Sequence, residues 1–150
     1  MTEVLFYQLR RQPLEAVLPI LIVRSLKKGW RVAVQSINEE RLKALDDHLW
    51  TFSDESFLPH GLANQNDAAL QPVVLALNSE NPNNADVRFL IDNADEPEDF
   101  SSYQRLVILF DGHFEDSLAQ ARQQWKRCRD KGAETTYWTQ TESGRWEKKA

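Results

Sequence analysis

Glycine is scarce in this sequence, and its five residues stand singly at positions 29, 61, 112, 132 and 144. Loops that cradle phosphate groups need clustered glycines, because backbone N–H groups must approach the phosphates closely. The sequence has neither a Gly-x-Gly-x-x-Gly pattern nor a Gly-Lys-Ser/Thr pattern. The absence of both patterns argues against a nucleotide-binding enzyme with a conventional phosphate loop.

Cysteine and histidine are also sparse. Cys128 is the single cysteine, so the chain cannot form an intramolecular disulfide, and a reducing compartment is expected. Its position continues an apolar helical stripe, where buried thiols are inert. His48, His60 and His113 are isolated, which predicts hydrogen-bonding rather than metal-binding roles. No carboxylate pair stands out as acid and base, so the sequence supports no catalytic site, metal or cofactor.

A long hydrophobic run is missing as well. The longest run extends from Ala16 to Val23, well below the roughly 20 residues that a bilayer-spanning helix needs. The polar residues from Gln8 to Gln12 do not fit a signal peptide. The net charge of −5 argues against strong nucleic-acid binding by the whole surface. We expect one cytoplasmic domain, residues 1–150, without a membrane segment.

Short apolar runs alternate with helical patterns along the chain. This alternation predicts an α/β domain with a mainly parallel sheet covered on both faces. The expected architecture is a three-layer α/β/α fold, Rossmann-like but without a nucleotide-binding loop. Five runs are predicted strands, at residues 4–9, 30–35, 72–77, 87–91 and 106–110. Two later segments, at residues 135–139 and 145–147, are strand-like pieces about a turn.

Three helices are predicted between these strands. The first extends from Pro13 to about Lys28, with proline tolerated in its first turn, although Pro19 is expected to kink or break it. The second follows Asn38 as its N-cap. Its apolar stripe comprises Leu42, Leu45 and Leu49. The third helix extends from about residue 115 to 131 and ends at a glycine.

The stretch from residue 48 to 60 carries more large apolar side chains than a connecting loop normally has. These side chains belong to Trp50, Phe52, Phe57 and Leu58. Such residues either cap the core or form an exposed patch for a partner. Composition alone favours core-capping, because many loop aromatics fold back onto the protein.

The predicted third helix carries a local basic face. Its core-facing stripe comprises Leu118, Ala121, Trp125 and Cys128. Directly beside this stripe lie Arg122, Lys126 and Arg129, which step at intervals of 4 and 3. One explanation of these residues is a solvated helix face, because the helix dipole stabilises cations near the C-terminus of a helix. The alternative is a pocket for an acidic peptide with an apolar end, in which Arg and Lys bind carboxylates beside the tryptophan.

Four groups of residues form a recognisable pattern: Lys28-Gly29-Trp30-Arg31-Val32, Leu45-Asp46 with Leu49-Trp50, Ser56-Phe57-Leu58-Pro59-His60, and Ala121-Arg122 with Trp125-Lys126. This pattern resembles the chi subunit family of bacterial DNA polymerase III, and the resemblance covers nearly the full length. The resemblance implies a non-catalytic accessory subunit that pairs with the psi subunit. Psi tethers chi to the clamp loader, and chi binds the acidic C-terminal tail of single-stranded DNA-binding protein.

The resemblance also assigns candidate site residues. The psi-binding residues that carry over are Trp50, Phe57 and Pro59. The tail-binding residues that carry over are Arg122, Trp125 and Lys126, to which the basic stripe adds Arg129. With these assignments the stretch from residue 48 to 60 has a shared role, with Trp50 and Phe57 in a partner patch and Phe52 and Leu58 capping the core. A degenerate nucleotide-binding α/β enzyme and a direct single-stranded nucleic-acid binder remain the alternatives.

Overall fold

The computed structural model of the protein describes residues 2–10, 12–51, 60–62 and 68–149, and the backbone alone of Trp50, Thr51 and Leu62. Three α-helices occur in these ranges: α1 (Leu14–Lys27), α2 (Glu39–Thr51) and α3 (Glu115–Asp130). The same ranges contain eight strands: β1 (Glu3–Leu9), β2 (Val32–Gln35), β3 (Gly61–Leu62), β4 (Val73–Ala76), β5 (Val87–Leu90), β6 (Arg105–Asp111), β7 (Glu134–Gln140) and β8 (Trp146–Lys148).

The described strands form one sheet in the order β3-β4-β2-β5-β6-β1-β7-β8. The neighbouring pairs from β3 to β7 are parallel, and β8 alone among them pairs antiparallel, with β7. β1 lies between β6 and β7, with Phe6 opposite Ile108 on one side and Tyr137 on the other. The predicted mainly parallel α/β sheet is therefore confirmed.

Side chains that alternate along the strands divide the core into two layers. One layer packs β1, β2 and β4–β6 against α1 and α2, through residues such as Leu9, Phe89 and Leu49. The other packs the opposite face of the sheet against α3, through residues such as Phe6 and Cys128. Period-two alternation of buried residues is what a sheet covered on both faces requires. The three-layer α/β/α prediction is confirmed.

The predicted number of strands is wrong. Five strands were expected, whereas β7, β8 and the two-residue β3 also belong to the sheet. The strand-like segment at residues 135–139 became β7 because β1 is apolar on both faces and needs a hydrogen-bonding partner on each side. β8 then covers part of the outer edge of β7, which would otherwise expose unpaired backbone groups.

Helix α1 extends through Pro19 without a break, and its bounds match the predicted helical segment from Pro13 to about Lys28. Proline has no N–H, so the carbonyl of Glu15, four residues earlier, loses its helical partner. His48 of α2 replaces that partner, because its Nε2 lies 2.8 Å from the Glu15 oxygen. A side chain from the neighbouring helix thus compensates for the proline and joins α1 to α2.

The ends of the helices follow the sequence signals. The side-chain oxygen of Asn38 accepts the Arg41 N–H at 3.0 Å, which confirms the predicted N-cap of α2. At the end of α1, Gly29 adopts a φ of 82°. Its N–H binds the Leu26 carbonyl, and the Trp30 N–H binds the Ser25 carbonyl. These two bonds form a Schellman motif and satisfy the last carbonyls of the helix.

Candidate partner-binding surfaces

Helix α3 packs on the sheet through a continuous buried face. Ala121 and Cys128 are buried there, together with the polar residues Ser117 and Gln124. Leu118 and Trp125 are half-buried and pack against the same layer. The predicted core-facing stripe is therefore confirmed, with Gln124 as an unpredicted member. Gln124 is accommodated because its amide donates to the carbonyl of Ala94 at 3.0 Å.

One side of α3 is bound to the segment that follows β5. Arg127 makes two hydrogen bonds of 2.8 Å to the carboxylate of Glu96, which is almost fully buried. Burial raises the pKa of Glu96, but bonds from Arg127, the backbone and Gln124 outweigh it, and the net pKa is lowered. Lys131 donates to the Glu98 carbonyl at 2.6 Å. Arg127 and Lys131 thus hold the end of α3 against the segment that follows β5.

The other exposed side of α3 carries cations of a different kind. Arg122, Lys126 and Arg129 are all exposed. None of the three has a carboxylate within ion-pair distance among the described residues. Their predicted alignment on one face is confirmed, since they follow the helical spacing of α3. This basic stripe can bind carboxylates without first breaking an ion pair with another described residue.

Trp125 lies at the border between the basic stripe and the core. Its ring packs against Phe6, with centroids 5.3 Å apart, and against Tyr137 of β7, 6.2 Å away. The hydroxyl of Tyr137 donates to the side chain of Gln8 at 2.5 Å. Burial raises the pKa of Tyr137 and outweighs the positive charges of Arg122 and Arg10, which act to lower it. The structure therefore brings Trp125 and Tyr137 together beside the basic stripe of α3.

The residues predicted for the psi-binding patch fall largely outside the described part of the chain. Phe57 and Pro59 lie outside the described residues, as do Phe52 and Leu58. Of Trp50 only the backbone is described, in the last turn of α2. That turn is anchored from both sides, because His48 contacts the Glu15 carbonyl and His60 contacts the side chain of Asp46 at 2.8 Å. The assignment of these aromatic residues remains a prediction.

A crevice of about 540 Å³ lies where β1 and β6 end, next to the start of α3. Rossmann-like sheets bind ligands at this position, where the strand order reverses. Here Arg41 pairs with Glu15 and with Asp92, and thereby spans the crevice wall. Glu15 occupies the first turn of α1, where a bound phosphate would need positive charge. Among the described lining residues, Glu15 thus places negative charge where a nucleotide phosphate would bind, and Arg41 is already paired with carboxylates.

The histidines and the cysteine occupy structural positions. Nε2 of His113 lies 2.8 Å from the Arg10 carbonyl, and the Nε2 atoms of His48 and His60 likewise contact backbone carbonyls of other segments. Burial raises the pKa of Cys128 to about 12, so the thiol stays protonated. In the described ranges, no group of three or more His, Cys, Asp or Glu residues is placed to hold a metal ion. No described helix is long and apolar enough to cross a membrane.

Two members of this surface could not be identified from local sequence. Tyr137 belongs to an edge region of the sheet, and only the pairing of β7 with β1 brings it to Trp125. Glu96 precedes Arg127 by 31 residues, and no local pattern links the two. Without that ion pair, Arg127 is indistinguishable in sequence from the exposed cations beside it.

The chain matches the family model described as "DNA polymerase III chi subunit, HolC" over residues 1–136. It is 27% identical over 97 residues to a probable DNA polymerase III subunit chi of Rickettsia prowazekii, which covers 61% of this chain and 59% of the relative. It is 32% identical over 90 residues to the DNA polymerase III subunit chi of Pseudomonas aeruginosa, which covers 58% and 62%. The matched part spans about three fifths of each relative. The chain belongs to the DNA polymerase III chi subunit family.

Proposed function

We propose that this protein is a non-catalytic, cytoplasmic adaptor of the DNA polymerase III holoenzyme. In this role it links the psi subunit, and through psi the clamp loader, to the acidic C-terminal tail of single-stranded DNA-binding protein. The single observation that carries the proposal is the basic stripe of α3. Its three exposed cations lack ion-pair partners in the described part of the chain, whereas neighbouring Arg127 is bound to Glu96.

The surroundings of the stripe suit an acidic peptide with an apolar end. Arg122 and Lys126 are one helical turn apart, so two carboxylates in sequence can each meet one cation. Half-buried Trp125 offers an aromatic edge beside them, backed by Phe6 and Tyr137. Three cations are too few for strong duplex binding, because that affinity scales with the number of phosphates neutralised. A short acidic tail is therefore the better fit.

Replacing Arg122 tests the tail-binding role. Arg122→Ala is expected to weaken binding of an acidic peptide that ends in phenylalanine by about 1–3 kcal/mol, the range for a charged hydrogen bond. Isothermal titration calorimetry measures this change. Arg145→Ala is the matched control, because Arg145 is also exposed but lies in the turn between β7 and β8. Equal affinities of Arg122→Ala and Arg145→Ala would contradict the assignment.

Replacing Trp50 tests the psi-binding role. Trp50→Ala is expected to abolish association with psi while leaving the melting temperature and circular dichroism close to those of the wild type, because an interface tryptophan contributes to binding and not to folding. Size-exclusion chromatography of the mixed subunits measures association. An unfolded variant would instead show that Trp50 caps the core. Arg122→Ala serves as the control that should still bind psi.

A further inference from the structure

A cavity with a basic mouth lies on the sheet face opposite α3. It has a volume of about 360 Å³ and is built from the C-terminal half of α1 and from strands β1, β5 and β6. This volume falls at the lower end of the roughly 300–1,000 Å³ typical of ligand pockets. The basic stripe of α3 does not contribute to it, so the cavity is separate from the surface proposed for tail binding.

The inner wall of this cavity is apolar. Phe89 and Val107 are buried residues of neighbouring strands, and Leu21 is a half-buried residue of α1. Tyr7 adds a ring that stands edge-on to Trp146, with centroids 4.9 Å apart. Burial raises the pKa of Tyr7, although Arg105 and Arg24 lower it, so its hydroxyl stays protonated and able to donate. The wall therefore suits an apolar side chain and offers a single phenolic donor.

The cavity mouth is basic. Its lining includes Arg24, Lys27, Lys28 and Arg105, and no acidic residue of the described chain. Arg105 is held by Glu3 at 2.8 Å. The other three are exposed, and none has a carboxylate within ion-pair distance among the described residues. The mouth thus keeps three cations available to an anionic ligand.

Helix capping does not account for these lysines. The last carbonyls of α1 already accept backbone N–H groups from the Schellman motif around Gly29. Lys28 instead lies over the ring of Trp30, with its Nζ 4.8 Å from the centroid. Arg105 lies 5.1 Å from the same ring. Trp30 therefore holds two cations at the cavity mouth through cation–π contacts.

We propose that this cavity is a second docking site, for an acidic peptide segment that carries one apolar side chain. The apolar side chain enters between Leu21, Phe89 and Val107, while flanking carboxylates meet Arg24, Lys27 and Lys28. A nucleobase fits less well, since its polar edges would face an apolar wall and lose their hydrogen bonds with water. The occupant is a partner protein with an acidic segment, and the site goes beyond the tail-binding function of α3.

Trp30 contacts two cations of the cavity mouth, and Trp125 lies beside the basic stripe of α3, so the two indoles can report on binding separately. We would titrate the full chain, labelled with ¹⁵N, with an N-acetylated Asp-Asp-Asp-Phe peptide and follow the indole N–H resonances of Trp30 and Trp125. Both resonances are expected to shift, with a stoichiometry of two peptides per chain. Arg24→Gln should raise the dissociation constant obtained from the Trp30 resonance about fivefold, the upper range for an exposed ion pair. The dissociation constant obtained from the Trp125 resonance should not change.

Controls separate this site from the one on α3. Arg122→Gln should raise only the dissociation constant obtained from the Trp125 resonance, and Arg145→Gln should change neither dissociation constant. A stationary Trp30 resonance, or an equal Trp30 titration in Arg24→Gln and the wild type, would overturn the second site while leaving the tail-binding function intact. An Asp-Asp-Asp-Ala peptide should bind more weakly at Trp30. A thymidine oligonucleotide that binds there more tightly than the peptide would overturn the choice of occupant.

Discussion

Contacts between single residues determine how Tyr137 meets Trp125. Gly112 follows β6 directly, and the side chain of Gln8 lies against its α-carbon. An ideal Cβ at Gly112 would come within 2.7 Å of Cγ of Gln8. Because Gln8 accepts the Tyr137 hydroxyl at 2.5 Å, the missing side chain at Gly112 indirectly positions the aromatic pair next to the basic stripe.

Gly112→Ala is expected to push Gln8 away from Tyr137 and to cost about 1 kcal/mol of unfolding free energy, the net value of one hydrogen bond. In a Gln8→Ala background the clash is gone, so the same substitution should be close to neutral. Urea denaturation of the four proteins gives the coupling between the two positions. A cost that is equal in both backgrounds would contradict the proposed contact.

At the scale of elements, the sequence determined most helices and strands but not their neighbours. The caps at Asn38 and Gly29 and the apolar runs of β1, β2, β4, β5 and β6 are local signals, and the structure confirms them. The pairing of β7 with β1 depends on residues about 130 positions apart. The partner of the Glu15 carbonyl, which Pro19 cannot supply, likewise comes from His48, a residue of another helix. Contacts of this kind leave no local pattern.

The contact between His48 and the Glu15 carbonyl predicts that substitutions of Pro19 and His48 are coupled in their effect on stability. His48→Ala should cost about 1–2 kcal/mol, because it leaves the Glu15 carbonyl without its partner. In a Pro19→Ala background the new backbone N–H can bind that carbonyl, so His48→Ala should cost about 1 kcal/mol less. Denaturant unfolding measures both values. His113→Ala is the control, because His113 binds the distant Arg10 carbonyl. Its cost should be the same in both backgrounds.

At the scale of the whole molecule, the two faces of the sheet carry different surfaces. α3 presents Arg122, Lys126 and Arg129 on one side, and the end of α1 with the next residue presents Arg24, Lys27 and Lys28 on the other. The helical spacing of the first group is visible in the sequence. The cavity under α1 depends on how β1, β5 and β6 lie side by side, and no local sequence pattern reveals it. A net charge of −5 conceals both basic surfaces.

The buried thiol of Cys128 links the packing of α3 to the stability of the whole domain. Burial raises its pKa in the folded protein from an ordinary value of 9.0 to about 12, with Glu96 adding to the shift. Below pH 9 the thiol is protonated in both states, so its contribution to stability is fully present. Between pH 9 and 12 the unfolded chain ionises first, and stability falls as the pH rises.

Comparison with Cys128→Ala isolates this effect, because other groups that titrate in the same range are common to both proteins. Between pH 8 and pH 10 the wild type should lose about 1.4 kcal/mol more unfolding free energy than the variant, since one pKa unit corresponds to that amount. Urea denaturation at the two pH values measures the difference. Alkylation of the native protein at pH 8 should also be slow and accelerate on unfolding. Parallel losses of stability in the two proteins would show that the thiol ionises as readily in the folded core as in the unfolded chain.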